Sequence, residues 1–130
     1  MGKPSREKGK RGEREVAKIL RDHGYNDARR GVQFHGGPES PDVTGLPGVH
    51  IEVKRTEICK AYDFLAQSIF DAGEDIPIVV HRQNGRPWIV IMSLEDFLDV
   101  YKGFDENNKK VEKKKKGSRN DDVRTEGDVL

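Results

Sequence analysis

The stretch "SPDVTGLPGVHIEVK", residues 40–54, carries three side chains of types that could build a metal centre: Asp42, Glu52 and Lys54. The glycines and proline between the two acids suit a turn centred on Leu46–Pro47, which makes the flanking residues the two strands of a hairpin. That turn sets Asp42 opposite Ile51 or Glu52, and directly opposed side chains of an antiparallel pair lie about 5 Å apart at Cβ. Two carboxylates that close repel unless a cation lies between them or one is protonated. Mg²⁺ takes one or two protein carboxylates and keeps room for water and a phosphate. Strand alternation puts Lys54 and His50 on the face of Glu52, and turns Ile51 and Val53 to the opposite face, toward a core. The competing reading is a pair of solvent-facing charges on an ordinary hairpin.

A further acid lies upstream, in "GEREVAKIL". At about 100° per residue, Glu13 falls near the centre of the stripe made by Val16, Ala17 and Leu20, while Glu15, about 160° away, should face solvent. A lone carboxylate aimed at a core is costly to bury. A metal or a hydrogen-bonding partner would account for Glu13, and so would a place in the first helical turn, where the dipole favours an acid.

Periodicity outlines the elements that must position these residues. "REVAKILRDHGY" has helical spacing, with Gly24 as its stop. A strand is expected near 28–34, and "HGGPESP", residues 35–41, reads as a loop. "KAYDFLAQSIFDAG" is a second amphipathic helix with Tyr62, Leu65, Ile69 and Phe70 on its apolar side and Gly73 as its stop. "IPIVVHR" and "PWIVIMS" are strands around a "QNGR" turn, and their near-continuous hydrophobicity predicts burial on both faces. "SLEDFLDVYKG" is a short last helix, capped by Ser93 with Asp96 three residues on, and ended by Gly103. The order predicts an α/β (mixed α+β sheet) domain over 12–103, between a basic flexible arm at 1–11 and a disordered charged tail at 104–130.

Charged residues outnumber hydrophobic ones, 36% against 33%, so part of this 130-residue chain is expected to stay unfolded. The net charge of +1 conceals a segregation: residues 1–11 carry five basic and one acidic residue, 12–101 ten basic and fifteen acidic, and 102–130 nine basic and seven acidic. Basic ends on an acidic globule suit a nucleic-acid ligand, because mobile lysines can follow phosphates. A bland domain with solvated tails has the same pattern. Cys59 is the only cysteine, which excludes a disulfide framework and a cysteine-based zinc site and fits a reducing cytoplasm. The N-terminal charges lack the apolar stretch of a signal peptide, and no apolar run approaches the roughly 20 residues that span a bilayer. Without a Walker-type loop, nothing suggests a nucleotide cofactor.

Together, "GERE" opening the first helix, "PD" at Pro41–Asp42, "EVK" at Glu52–Lys54 and the element order resemble the PD-(D/E)XK nuclease superfamily, most closely its Holliday-junction-resolvase-like branch of archaeal and phage enzymes. The resemblance covers roughly residues 8–101. It implies a restriction-endonuclease-like αβββαβ core with a C-terminal helix, and Mg²⁺ (with Mn²⁺ as a substitute) held by Asp42, Glu52 and the backbone carbonyl of Val53. Glu13 would be the additional acid that such resolvases carry on their first helix. Lys54 would orient or help deprotonate the attacking water and stabilise charge on the phosphate. The implied activity is metal-dependent endonuclease cleavage of four-way DNA junctions by a homodimer, in recombination or repair, in the cytoplasm (a host's, if phage-encoded). The chain departs from the family in its long glycine-rich loop, "GVQFHGGPES", where Ser40 is the candidate counterpart of a serine near the catalytic aspartate. Its lysine-rich tail has no family counterpart.

Nuclease function would give further residues roles on DNA. Arg11, Arg29, Arg30, Gln33 and His35 could grip phosphates or be ordinary surface polarity. Arg55 and Lys60 are DNA-facing or simply exposed, and Gln67 is either a polar site residue or a solvated glutamine. Trp88 reads as core or dimer interface, while His23 and His81 lack ligand-like partners. Two other functions remain open: a restriction-, repair- or phage-type nuclease acting on other DNA, and a catalytically silent DNA-binding protein.

Overall fold

The Gly-Leu-Pro-Gly turn forms where the spacing places it, and the sheet is organised around its hairpin. In the computed structural model, which describes residues 3–32 and 40–118 (side chains at 6–32 and 40–114), the elements are α1 (Lys3–Asp22), β1 (Arg29–Arg30), β2 (Val43–Thr44), β3 (Val49–Arg55), α2 (Ala61–Ala72), β4 (Ile76–Arg82), β5 (Ile89–Ile91) and α3 (Leu94–Ser118). The fold is mixed α+β. Its five-stranded sheet has the order β1-β2-β3-β4-β5, with β3 and β4 parallel across the α2 crossover and every other pair antiparallel.

Val43 pairs with Ile51, which puts Asp42 opposite Glu52. Gly45 makes the hairpin possible: its φ is +125°, and a Cβ there would lie 2.5 Å from the Ala28 Cα. Val16 and Ala17 of α1 pack on Val43, Ile51, Val53, Ile78 and Val80 to form the core. Gly12 brings α1 close, since a Cβ there would already touch Val53, Arg55 and Trp88.

Several expectations are corrected. Residues 3–11 are helical and belong to α1, because extending an existing helix needs no new nucleus. The edge strand β5 is not buried on both faces: Ile89 and Val90 are about half exposed, having one strand neighbour only. The last helix does not stop at Gly103. It continues to Ser118, so residues 104–118 are ordered helix and residues 119–130 lie outside the described ones. One interior glycine costs a helix about 1 kcal/mol, and the flanking segment offsets it with rings stacked along one side, Phe97–Tyr101–Phe104, and an Asp105–Lys109 pair at 3.3 Å. Ser93 does cap this helix, its Oγ accepting from Asp96 N at 3.0 Å. Helix α3 belongs to a compact unit that begins at Ser93.

The largest correction concerns α2. Its buried residues are Ser68, Asp71 and Ala72, whereas Tyr62 and Phe70 are 89% and 83% exposed and Ile69 is half exposed. The sheet surface beneath this helix is mixed: it presents His50, Glu52 and Lys54 from β3 and, paired beside them, Pro77, Val79 and His81 from β4. The helix meets it with Ala72 and with polar side chains, and Ser68 Oγ donates to Ile78 O at 3.0 Å.

Candidate active site

Asp42 is held at the mouth of the hairpin by both neighbouring strands. Its N–H donates to Ile51 O at 2.8 Å, and its carbonyl accepts from Gly31 N at 2.8 Å. Gly31 must be glycine here, because a Cβ would run into the carbonyl oxygen of Pro41. The Asp42 side chain turns back on β3, where Oδ2 accepts from Val53 N at 2.9 Å.

Burial pushes the Asp42 carboxyl up to about 6; the negative charge of Glu52 and a hydrogen bond with it add to the rise, and the Val53 N–H opposes it. Glu52 is likewise raised, first by burial, with the Lys54 charge pulling the other way. Burial thus disfavours the charged form of both carboxyls, the more so for Asp42 because Glu52 is charged beside it.

Lys54 lies on the Glu52 side of β3. Its Nζ donates to Gln67 Oε1 at 3.1 Å and sits 5.3 Å from the centroid of the Phe64 ring. Gln67 stays exposed while it holds the lysine. Glu13 approaches from α1: its carboxyl is raised by burial and by the charge of Asp42, against a hydrogen bond from Arg30. That bond runs from Arg30 Nε to Glu13 Oε1 at 2.8 Å, so Arg30 serves the acid as well as facing any ligand.

A second cluster lies beneath α2, and the sequence did not reveal it. His50 Nε2 is 2.9 Å from Glu52 Oε1, and Asp71 joins them, with one ligand atom from each residue all within 4.8 Å. His50, Glu52 and Asp71 are 3%, 4% and 7% exposed. Burial lowers the His50 pKa, against the pull of Asp71, Asp42 and Asp75, so the ring is neutral. These three residues could hold a metal ion. The available signal for Asp71 was its place one turn beyond Gln67 and two beyond Phe64, on the side of α2 away from Tyr62.

The remaining candidates divide. Arg11, Arg29 and Lys60 are exposed and Ser40 is half-buried beside Pro41. Gln33 and His35 lie outside the described residues. Arg55 is not an exposed cation: its side chain is 16% exposed and pairs with Glu15 at 3.6 Å. Trp88 packs against the core. His81 is satisfied by Thr56, Oγ1 and carbonyl both at 3.0 Å.

Glu15 corrects the expectation that it faces solvent. It accepts from Arg82 Nη1 at 2.9 Å and from Trp88 Nε1 at 3.2 Å, because long side chains from β4 and the β4–β5 connection reach around the helix. Glu13 and Glu15 should therefore fail in different ways. Glu15→Gln is expected to lower stability by about 1 kcal/mol, read by urea unfolding, with little effect on any metal-dependent reaction. Glu13→Gln should leave the melting curve near wild type and slow such a reaction at least about tenfold. Equal effects on both readouts would remove Glu13 from the site.

No family model, no curated protein and no solved structure matches this chain.

Proposed function

We propose that this chain is a Mg²⁺-dependent, structure-selective DNA endonuclease that cuts four-way junctions. One observation carries the reading: Asp42 and Glu52 are opposed across the hairpin, both carboxyls raised by burial, with Lys54 on the same side of β3. The αβββαβ order of the first six elements agrees with the core that the sequence resemblance implies.

The residues fit a hard cation. A pair of opposed, buried carboxyls whose charges repel would accept a divalent ion between them. Val53 directs its N–H at Asp42, and because a strand residue's N–H and C=O point to the same side, its carbonyl lies on the Asp42 side too. Bound there, Mg²⁺ would lower the pKa of a coordinated water and offset charge on the phosphate. Lys54, steadied by Gln67, would bring its ammonium to the scissile phosphate. Glu13 would complete the acidic rim, its carboxylate oriented by Arg30.

A polar cleft of about 330 Å³ lined by Arg6, Gly9, Lys10, Glu13, Arg30 and Gly31 adjoins these acids through Glu13. Its cations suit a DNA backbone, and its glycines allow close approach. Recognition would rest on phosphates more than base edges, so binding should weaken steeply with salt.

Symmetric cutting of a junction needs two sites related by a two-fold axis. Tyr62, Ile69 and Phe70 of α2, exposed on one helix, offer an apolar contact for a second copy. Phe70→Glu should shift the species in light scattering from two chains to one and uncouple the paired nicks.

The deciding assay compares a four-way junction with a linear duplex of the same arms, in Mg²⁺ and in EDTA. Paired, symmetric nicks in the junction alone are the expected result. Equal cutting of the duplex would transfer the proposal to a restriction- or repair-type substrate. No metal-dependent cleavage of either DNA would overturn the nuclease reading.

A further inference from the structure

The pair Asp42–Glu52 leaves His50 and Asp71 unused, although both are more than nine-tenths buried and both converge on Glu52. Taking two carboxylates and an imidazole out of water is costly unless something balances them. Lys54 is the cation whose charge reaches Glu52, and its Nζ is engaged by Gln67. Asp42 and Asp75, the other charged groups felt by His50, are acidic and deepen the imbalance.

We infer that His50 Nε2, Glu52 Oε1 and the Asp71 carboxylate form a second metal centre, selective for a borderline ion of the Zn²⁺ class, which shares Glu52 with the Asp42 side. The donor set differs in kind from that of the proposed Mg²⁺ site. One imidazole nitrogen and two carboxylate oxygens suit Zn²⁺, Fe²⁺ or Co²⁺ better than Mg²⁺, and three protein ligands leave a coordination position open, as in catalytic zinc sites.

The geometry is close to what such an ion requires. Two ligand atoms each about 2.1 Å from one tetrahedral ion lie about 3.4 Å apart, so the His50 and Glu52 atoms, hydrogen-bonded at 2.9 Å, open by about 0.5 Å to admit it. The three atoms lie within 4.8 Å of one another, so Asp71 has at most about 1.4 Å to close, within the play of its torsions. His50 and Glu52 are brought together by strand alternation on β3, and Asp71 is fixed above them by α2, so no loop has to order for the site to form. This inference uses Glu52 but does not depend on nuclease activity.

Co²⁺ is the probe, titrated into untagged protein carrying Cys59→Ser to silence the exposed thiol, and read by its visible d–d absorption. Wild-type ligands and the Asp42→Asn variant should both develop a band that saturates at one equivalent, persists in excess Mg²⁺ and is removed by Zn²⁺. Asp71→Asn and His50→Gln, checked for folding by circular dichroism, should bind Co²⁺ at least about tenfold more weakly. X-ray absorption of the Zn²⁺-loaded protein, which needs no variant, should show a single imidazole among oxygen ligands. Absence of a band with wild-type ligands, a band unchanged in both Asp71→Asn and His50→Gln, or a zinc shell without imidazole would each overturn the inference and leave a hydrogen-bonded network without metal. Junction cleavage has no part in the readout, so a failed nuclease assay and a failed metal titration are separate results.

Discussion

Asp42→Asn is expected to reduce metal-dependent junction cleavage by about 10²–10³-fold or more, the scale of removing one preorganised electrostatic partner of a transition state. The substitution keeps the volume of the side chain and an oxygen that can accept from Val53 N, so the hairpin should survive. What it removes is the negative charge that, with Glu52, would attract a divalent ion. The amide can hydrogen-bond to Glu52 without any shared proton, so the variant has no need of a cation between the two strands. Binding to the junction should be retained or slightly tightened, because one negative charge beside the phosphates is gone. Gel-shift and cleavage assays on the same labelled junction separate the two outcomes. Wild-type cleavage by Asp42→Asn would mean that this acid pair is not where the reaction is organised.

The second large effect is on stability. Asp42 rises from an ordinary 3.8 to about 6 in the fold, so between these values the folded chain keeps a proton that the unfolded chain has released. Stability therefore falls as pH rises through this window, by about 2–3 kcal/mol, and levels off above it. Urea unfolding in EDTA from pH 4 upward measures the trend, and its difference from Asp42→Asn isolates the Asp42 share from that of other carboxylates. A cation that takes the proton's place should restore the lost stability, so the gain from Mg²⁺ should grow from about pH 4 to about pH 6. Parallel pH profiles for wild type and Asp42→Asn would show that the fold does not raise Asp42.

Much of this site was legible in the chain because its first half is local. A turn with glycines on both sides of Leu46–Pro47 narrows the partner of Asp42 to Ile51 or Glu52, of which the fold selects Glu52, and alternation along β3 sends Lys54 to the Glu52 side. Ser93 at its cap and Gly73 at the end of α2 follow from equally short-range geometry. The resemblance rests partly on the same local stretch, "PD" and "EVK", and partly on "GERE" and the element order.

Docking faces were a different matter. Hydrophobic spacing assigned Tyr62, Ile69 and Phe70 to the buried side of α2, and the structure exposes them. The same reasoning sent Glu15 to solvent, where Arg82 and Trp88 in fact reach it. It also ended the last helix at Gly103, although the helix continues to Ser118. By itself, the sequence determined the hairpin and the shared face of Glu52 and Lys54, because turn chemistry and strand alternation act within a few residues. The register, open between Ile51 and Glu52 opposite Asp42, is fixed by the Val43–Ile51 pairing. Only the tertiary structure decided that Asp71 lies beside His50 and Glu52, because the surface α2 must match is assembled from two strands at once, with polar residues of β3 set beside Pro77 and Val79 of β4. Hydrophobic spacing along the helix carries no record of that mixture, so it named the wrong side.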